Sequence, residues 1–394
     1  MTLFFSRRIG LSDEGQEIPI LAGTRLTGRV GRSTIGVLNI QQREQQVALA
    51  QTGQPSTNFT ALRARMDIMA QSDIGVMFLN KEPTGSSYNR VFGMDANFRR
   101  GFLSVDAYAV KTASPQSAVP GEGEDFAARG GWNYRSRTWG FSGFFSAIGE
   151  RFNDEMGFIQ RIGVNNANFD LGYTFRPAWL QKLNIRETRP HWRMDNFERR
   201  DGSGLDSRYQ DLHLPFNFND GGFVEMGVNP NVEVIRDAFT ISGVPVLPGR
   251  YEFDEYFVLW NSNNSAPFSV NTRFSTGDFY DGYRRGYGFG PSMRLNERIN
   301  ASVNLQVNDI ELSTGAVVTT LVSTRVNYNF STRAFLNALV QYNTDSKQLS
   351  SNIRFNLIHR PLSDLFVVYN ERHDERTNRV NRAFIVKMTY LVAF

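Results

Sequence analysis

From residue 379 onward the chain reads RVNRAFIVKMTYLVAF, and its side chains sort by parity. Val380, Phe384, Val386, Met388, Tyr390, Val392 and Phe394 fall on one side, with Arg382 the exception. Asn381, Ala383, Lys387, Thr389 and Ala393 fall on the other, with Ile385 and Leu391 among them. A period of two means an extended strand with unlike faces. The apolar face needs an apolar neighbour, which is either a protein core or the acyl chains of a bilayer.

The same period runs through the chain. Ile299, Ala301, Val303, Leu305 and Val307 oppose Asn300, Ser302, Asn304, Gln306 and Asn308. Leu62, Ala64, Met66 and Ile68 oppose Arg63, Arg65 and Asp67, and Phe92, Met94, Ala96 and Phe98 oppose Asp95, Asn97 and Arg99. No long window follows the helical spacing. The segments number about 22, each long enough to cross a bilayer on a tilt.

Connections sort as well. Counted back from the end, one set is short: 360–364, 330–333, 296–299, 219–222, 136–138, 99–101, 71–73 and 31–33. The alternate set reads as long and polar: 373–379, 279–286, 242–250, 197–207, 151–166, 111–125 and 42–56. Short turns at one end and long loops at the other are the habit of a transmembrane barrel. Trp139, Trp179 and Trp260 fall near short turns, where an interfacial girdle places them. The expected fold is all-β: one antiparallel transmembrane β-barrel of about 22 strands over residues 1–394, both termini at the short-turn, periplasmic end. A large soluble β-protein is the competing reading.

Composition agrees. Mean hydropathy is −0.37, and no run is long and apolar enough for a spanning helix. Cysteine is absent, while 32 Phe and 14 Tyr supply apolar surface. Net charge is only +4, and of 43 basic residues five are lysine (Lys81, Lys111, Lys182, Lys347, Lys387), leaving 43 − 5 = 38 arginines. They are spread at alternate positions rather than in a block, which excludes a nucleic-acid footprint.

Facing lipid, such charges would cost about 2–4 kcal/mol each near the midplane. They are therefore expected to face the lumen: Arg25, Arg29, Arg63, Arg65, Asp67, Asp95, Arg129, Arg135, Arg294, Asn304, Gln306, Arg325, Asn327, Arg354 and Lys387. Gly286, Gly288 and Gly290 alternate within a strand with no helix after them, so they read as small lumenal residues rather than a phosphate loop. RETRPHWRMDNFERRD (186–201) is expected on the long-loop side, with Arg189, His191 and Trp192 as candidate glycan contacts. FYDGYRRG (279–286) offers Asp278 before it, then Asp281, Arg284 and Arg285, as candidate sugar or calcium contacts. The competing reading there is a tight turn in which Gly282 permits positive φ. Asp211 and His213 share a strand face, but the four histidines form no close sequence motif. No metal, cofactor or catalytic residue is assigned.

FFSRRIG (4–10) with ILAGTRLTGRVGRSTIGVLN (20–39), the closing RPLSDLFVVYNERHDERTNRVNRAFIVKMTYLVAF (360–394) and GDFYDGYRRG (277–286) resemble a family of bacterial outer-membrane barrel domains of unknown function. In that family the barrel follows a periplasmic domain similar to family 9 carbohydrate-binding modules. The resemblance implies a signal peptide and such a domain ahead of this chain, whose start MTLFFSRRIG lacks the pattern of an export signal. The ending is also similar to the carboxy-terminal assembly signal of outer-membrane proteins: Phe394, Val392, Tyr390 and Lys387, departing at Thr389 where that pattern prefers glycine. Expected partners are outer-membrane lipid, the barrel assembly machinery, a glycan and the precursor's own periplasmic domain. The expected role is binding or passage of polar ligands. An outer-membrane hydrolase of lipase or protease type, with its site at the extracellular rim, is the alternative.

Overall fold

The computed structural model describes residues 1–12, 17–44, 55–84, 87–115 and 124–391. It is all-β. One antiparallel sheet contains 22 strands, and a two-stranded hairpin stands apart from it. In chain order the strands are β1 (Ile20–Val30), β2 (Ser33–Gln42), β3 (Thr57–Met69), β4 (Ser72–Pro83), β5 (Asn89–Arg100), β6 (Leu103–Ala113), β7 (Asp125–Arg135), β8 (Trp139–Ile148) and β9 (Val164–Tyr173). A four-residue helix, α1 (Ala178–Gln181), precedes β10 (Ile185–Thr188), β11 (His191–Arg199), β12 (Gly204–Phe218) and β13 (Phe223–Ile235). The separate hairpin is β14 (Phe239–Ile241) with β15 (Val244–Val246). The sheet resumes with β16 (Gly249–Asn261), β17 (Phe268–Phe279), β18 (Gly282–Arg294), β19 (Ile299–Leu312) and β20 (Gly315–Asn329). It ends with β21 (Ala334–Asn343), β22 (Gln348–Arg360), β23 (Ser363–Asp374) and β24 (Arg379–Met388).

Contacts divide the chain into two units: Met1–Gly172 with Arg193–Arg208, and Tyr173–Trp192 with Tyr209–Phe394. In the first unit, register carries parity across the sheet. Gly28, Ile35, Ala64, Val76, Met94, Ala109, Ala128 and Ala147 pair in succession from β1 to β8, all without a polar side chain. In the second unit the row Phe268, Met293, Ala301, Val326, Ala338, Ile353, Tyr369 and Phe384 does the same from β17 to β24, with one phenol.

The cores lie elsewhere. In the first unit Phe59, Leu79, Val91, Val110 and Ala127 sit on the opposite face, toward the long connections. Phe152 and Met156 of the 149–163 connection cover them, together with Leu3, Phe4 and Ile9. Main-chain bonds tie the two covering segments to each other: Thr2 and Phe158 exchange a pair, and Phe5 N–H donates to Met156 O at 2.7 Å. In the second unit the β14–β15 hairpin plays the same part, with Val244 and Val246 packed on Ile310 and Leu312.

Three expectations change. The long-loop habit holds at 149–163 and 236–248 but not elsewhere among the described connections: β11–β12 is joined by four residues, β17–β18 and β19–β20 by two each, and β23–β24 by four. Strand pairing simply continues further along both strands than the polar composition of those segments suggests. Second, β1 begins beside the long connection, with Ile20 opposite Gln42, whereas β24 ends near a two-residue turn, with Met388 opposite Leu365. The placement of both termini at the short-turn end thus fails for β1. Setting aside four-residue β10, 22 − 1 = 21 full strands remain, an odd number. Third, β1 pairs only with β2 and β24 only with β23 among the described residues, and every residue of both strands is exposed.

The turn at 280–281 is tight, but Gly282 is not its positive-φ residue. Tyr280 takes φ 54° instead. Gly282 is needed for room, since a Cβ there would lie 1.9 Å from Glu311 O. Gly282→Ala is therefore expected to cost about 1–3 kcal/mol by overpacking. Gly28→Ala, with nothing within 4 Å, is expected to be neutral. Urea midpoints followed by tryptophan fluorescence will compare them, and equal midpoints would refute the steric account.

Candidate functional site

The candidate site of the first unit is the polar face of its sheet. Register stacks three rows there. The row nearest the long connections runs Met77, Gly93, Val110, Ala127 and Ile148, beneath the covering segments. The next runs Arg29, Thr34, Arg65, Gly75, Asp95, Tyr108 and Arg129. The third, toward the short turns, runs Asp67, Asp73, Asn97, Asp106 and Gly131. A row with three arginines thus lies against a row with three aspartates.

Ion pairs join them. Arg29 meets Asp67 at 2.6 Å, Arg65 meets Asp73 at 2.5 Å, and Arg129 meets Asp106. Arg63 grips Asp95 with both terminal nitrogens, at 2.5 and 2.8 Å. That grip spans the intervening strand because residue 75 is glycine: a Cβ there would fall 2.7 Å from the guanidinium. Partners are half-exposed, so each pair contributes at most about 1 kcal/mol. Their effect is to neutralise the face where strands cross.

The second unit differs. Asn300, Asn327, Asn337 and Arg354 form one row, and Ser302, Arg325, Leu339, Asn352 and Asn370 another. Amides dominate. Gly286, Gly288 and Gly290 stand on this face, against Ser275, Arg273 and Asn304. Arg325, Arg354 and Lys387, and in the first unit Arg25 and Arg135, form no ion pair among the described residues. The Arg294 guanidinium donates to Ser265 O at 3.3 Å.

The opposite faces are apolar and open. In the first unit Val76, Phe92, Met94, Phe126 and Phe145 are each at least half exposed. A hollow of about 870 Å³ lies over Leu62, Val76, Phe78, Phe92 and Met94. In the second, Val303, Val318 and Phe384 are exposed, and Leu305, Val322 and Phe355 are half-buried. None lies in a sealed core.

Several expected contacts are elsewhere than the sequence suggested. Arg189, His191 and Trp192 are not on the long-loop side. Ile185 pairs Phe218, and Asn219 N–H donates to Asn184 O, so this stretch adjoins the short 219–222 turn. The reason is the 174–184 segment, whose helix turns the chain back before β10. Trp192 Nε1 donates to Gln210 at 3.2 Å. Arg284 is held by Glu255 at 2.7 Å, Arg285 lies over Tyr283, and Asp281 accepts from Ser313. Tyr280 packs on Phe253, Tyr251 and Phe239 and donates to Glu233 at 2.9 Å. FYDG thus forms a tight, packed hairpin, with Asp278 opposite Tyr283 at its base. Tyr390 receives Arg360 at 2.5 Å and Lys387 lies opposite Phe366; Val392 and Phe394 lie outside the described residues, as do most of 42–56 and 111–125.

His213 does not pair with Asp211. It meets Glu225 at 3.3 Å and Asn229 at 2.7 Å, and its ring lies edge-on to His191. Nothing in the 21 residues between the histidines announces this, because strand register alone creates it.

No known family profile matches the chain, and no curated protein matches it significantly.

Asp154 lies in the covering 149–163 segment. Burial raises its carboxyl to about 7, against the amides of Met156 and Gly157, which favour the anion. A raised carboxyl favours the folded segment below its ordinary value of 3.8, and that contribution fades as pH rises from 3.8 through about 7. Hydrogen exchange across 149–163 should therefore be faster at pH 8 than at pH 5 after correction for intrinsic rate. Asp154→Asn should flatten the difference; an unchanged difference would reject Asp154 as its source.

Proposed function

We propose that this sheet is the wall of an outer-membrane β-barrel that binds or passes polar ligands. The observation that carries the reading is the pair of eight-strand apolar rows, exposed or half-exposed and without a sealed core, opposite a polar face. Such continuous exposed apolar surface is unsuited to water and matches a lipid-facing band. Trp139 lies at a strand end next to a short turn, Trp260 near the end of β16 beside the 262–267 connection, and Trp179 on α1; all three are exposed, as interfacial residues require. The family resemblance points the same way and supplies the periplasmic carbohydrate-binding partner.

Covering segments narrow the polar face, and the ion-paired rows leave little net field in the first unit. The arginines without carboxylate partners, Arg325 and Arg354 among them, and Lys387 set the sign. Fixed cations favour anions, and the amide rows suit hydroxyl-rich ligands such as glycans. Heat-modifiable migration after detergent extraction is expected, with an anion-preferring reversal potential across a planar bilayer. Migration unchanged by heating would remove the barrel; a cation preference would remove the arginine argument while leaving the barrel.

A further inference from the structure

We infer that His191, His213 and Glu225 form a binding site for a divalent transition-metal ion. Their ligand atoms lie within 4.8 Å of one another, and all three residues are half-buried. They come from three strands: His191 opens β11, His213 is on β12 and Glu225 on β13.

Neighbours fix the chemistry of each ring. Asn229 donates its amide to Glu255 at 3.0 Å, which turns its oxygen toward His213 Nε2 at 2.7 Å. His213 Nε2 is therefore the N–H, and its Nδ1 carries the lone pair. That lone pair faces Glu225 Oε1 at 3.3 Å. His191 Nδ1 lies 3.3 Å from Arg189 O. A carbonyl only accepts, so Nδ1 is the N–H and Nε2 is the free donor to a metal. Each histidine thus has one nitrogen held by an outer oxygen, the arrangement that orients metal-ligating imidazoles.

The ring of His213 is also built in. It packs edge-on to Phe257 at 4.7 Å. Opposite Phe257 in register stands Gly227, where a Cβ would be 2.6 Å from His213 Cδ2. Any other residue at 227 would evict the imidazole. A neutral imidazole lone pair facing a carboxylate is repulsive, so something positive must lie between or on them. A proton on Nδ1 satisfies the pair but leaves His191 unused. A metal uses all three donors. Two imidazoles and one carboxylate suit zinc or a neighbouring first-row ion, with a position left for water or a ligand oxygen. Tetrahedral binding needs donors about 3.4 Å apart; His213 and Glu225 already meet this at 3.3 Å, and all three donors lie within 4.8 Å of one another.

The test is titration of the folded, chelator-treated full chain in detergent with Zn²⁺ by calorimetry, and with Co²⁺ by visible absorption. One equivalent is expected, with a tetrahedral-type cobalt spectrum. His191→Gln and Glu225→Gln should weaken binding at least about tenfold. Asn229→Leu, which touches no metal, should weaken it about 10–100-fold by releasing the His213 tautomer. His373→Ala, elsewhere on β23, should bind like wild type. Heat-modifiable migration or circular dichroism of each variant separates loss of fold from loss of ligand. No saturable wild-type binding, or binding unmoved by all three site variants, overturns the inference; in the former case His213 and Glu225 are a proton-bridged pair only.

Discussion

Main-chain pairing between successive strands is the constraint on which everything else here depends. Each strand must place its amides against the next, and with a period of two that same pairing decides which side chains share a face. Once Ala64 lies opposite Val76 and Val76 opposite Met94, Arg65, Gly75 and Asp95 are forced together on the other side. Register converts a local alternation into rows, and rows give the molecule its two unlike surfaces.

What the polar rows do follows from their chemistry. Individually, the ion pairs are partly solvated and weak. Collectively they set opposite charge against opposite charge, so that the first unit's face carries many charged groups with little repulsion. Glycine at 75 is part of that design because it lets Arg63 reach over a strand to Asp95. In the second unit amides take over, and the cations Arg325, Arg354 and Lys387 stand without carboxylates among the described residues.

Both units bury apolar side chains on the face that is otherwise polar. Phe152 and Met156 do so in one, Val244 and Val246 in the other. A connection that folds back needs somewhere apolar to rest, and the strands supply it near their loop ends: Phe59, Leu79 and Val91 in one case, Ile310 and Leu312 in the other. The same parity that carries Asn304 and Gln306 farther along β19 carries Ile310 and Leu312 here. Apolar residues in this position interrupt the alternation of character without interrupting the strand.

The sequence by itself determined the strands, nearly all the short turns, and the sorting of side chains into two faces. Those features depend on neighbours one or two residues away, and a period of two is readable at that range. The pairing of Arg63 with Asp95, expected only as a charge facing inward, needed the register of three strands. The loops were read too long at 197–207, 279–286 and 373–379 because polar residues near a strand's end still belong to the strand. His191, His213 and Glu225 were invisible as a group: no spacing links them, and only the turn-back through α1 and the alignment of β11, β12 and β13 bring them together. Tertiary structure also decided where the connections fold and which strands remain edges, since both depend on contacts between residues distant in the chain, which local alternation does not encode.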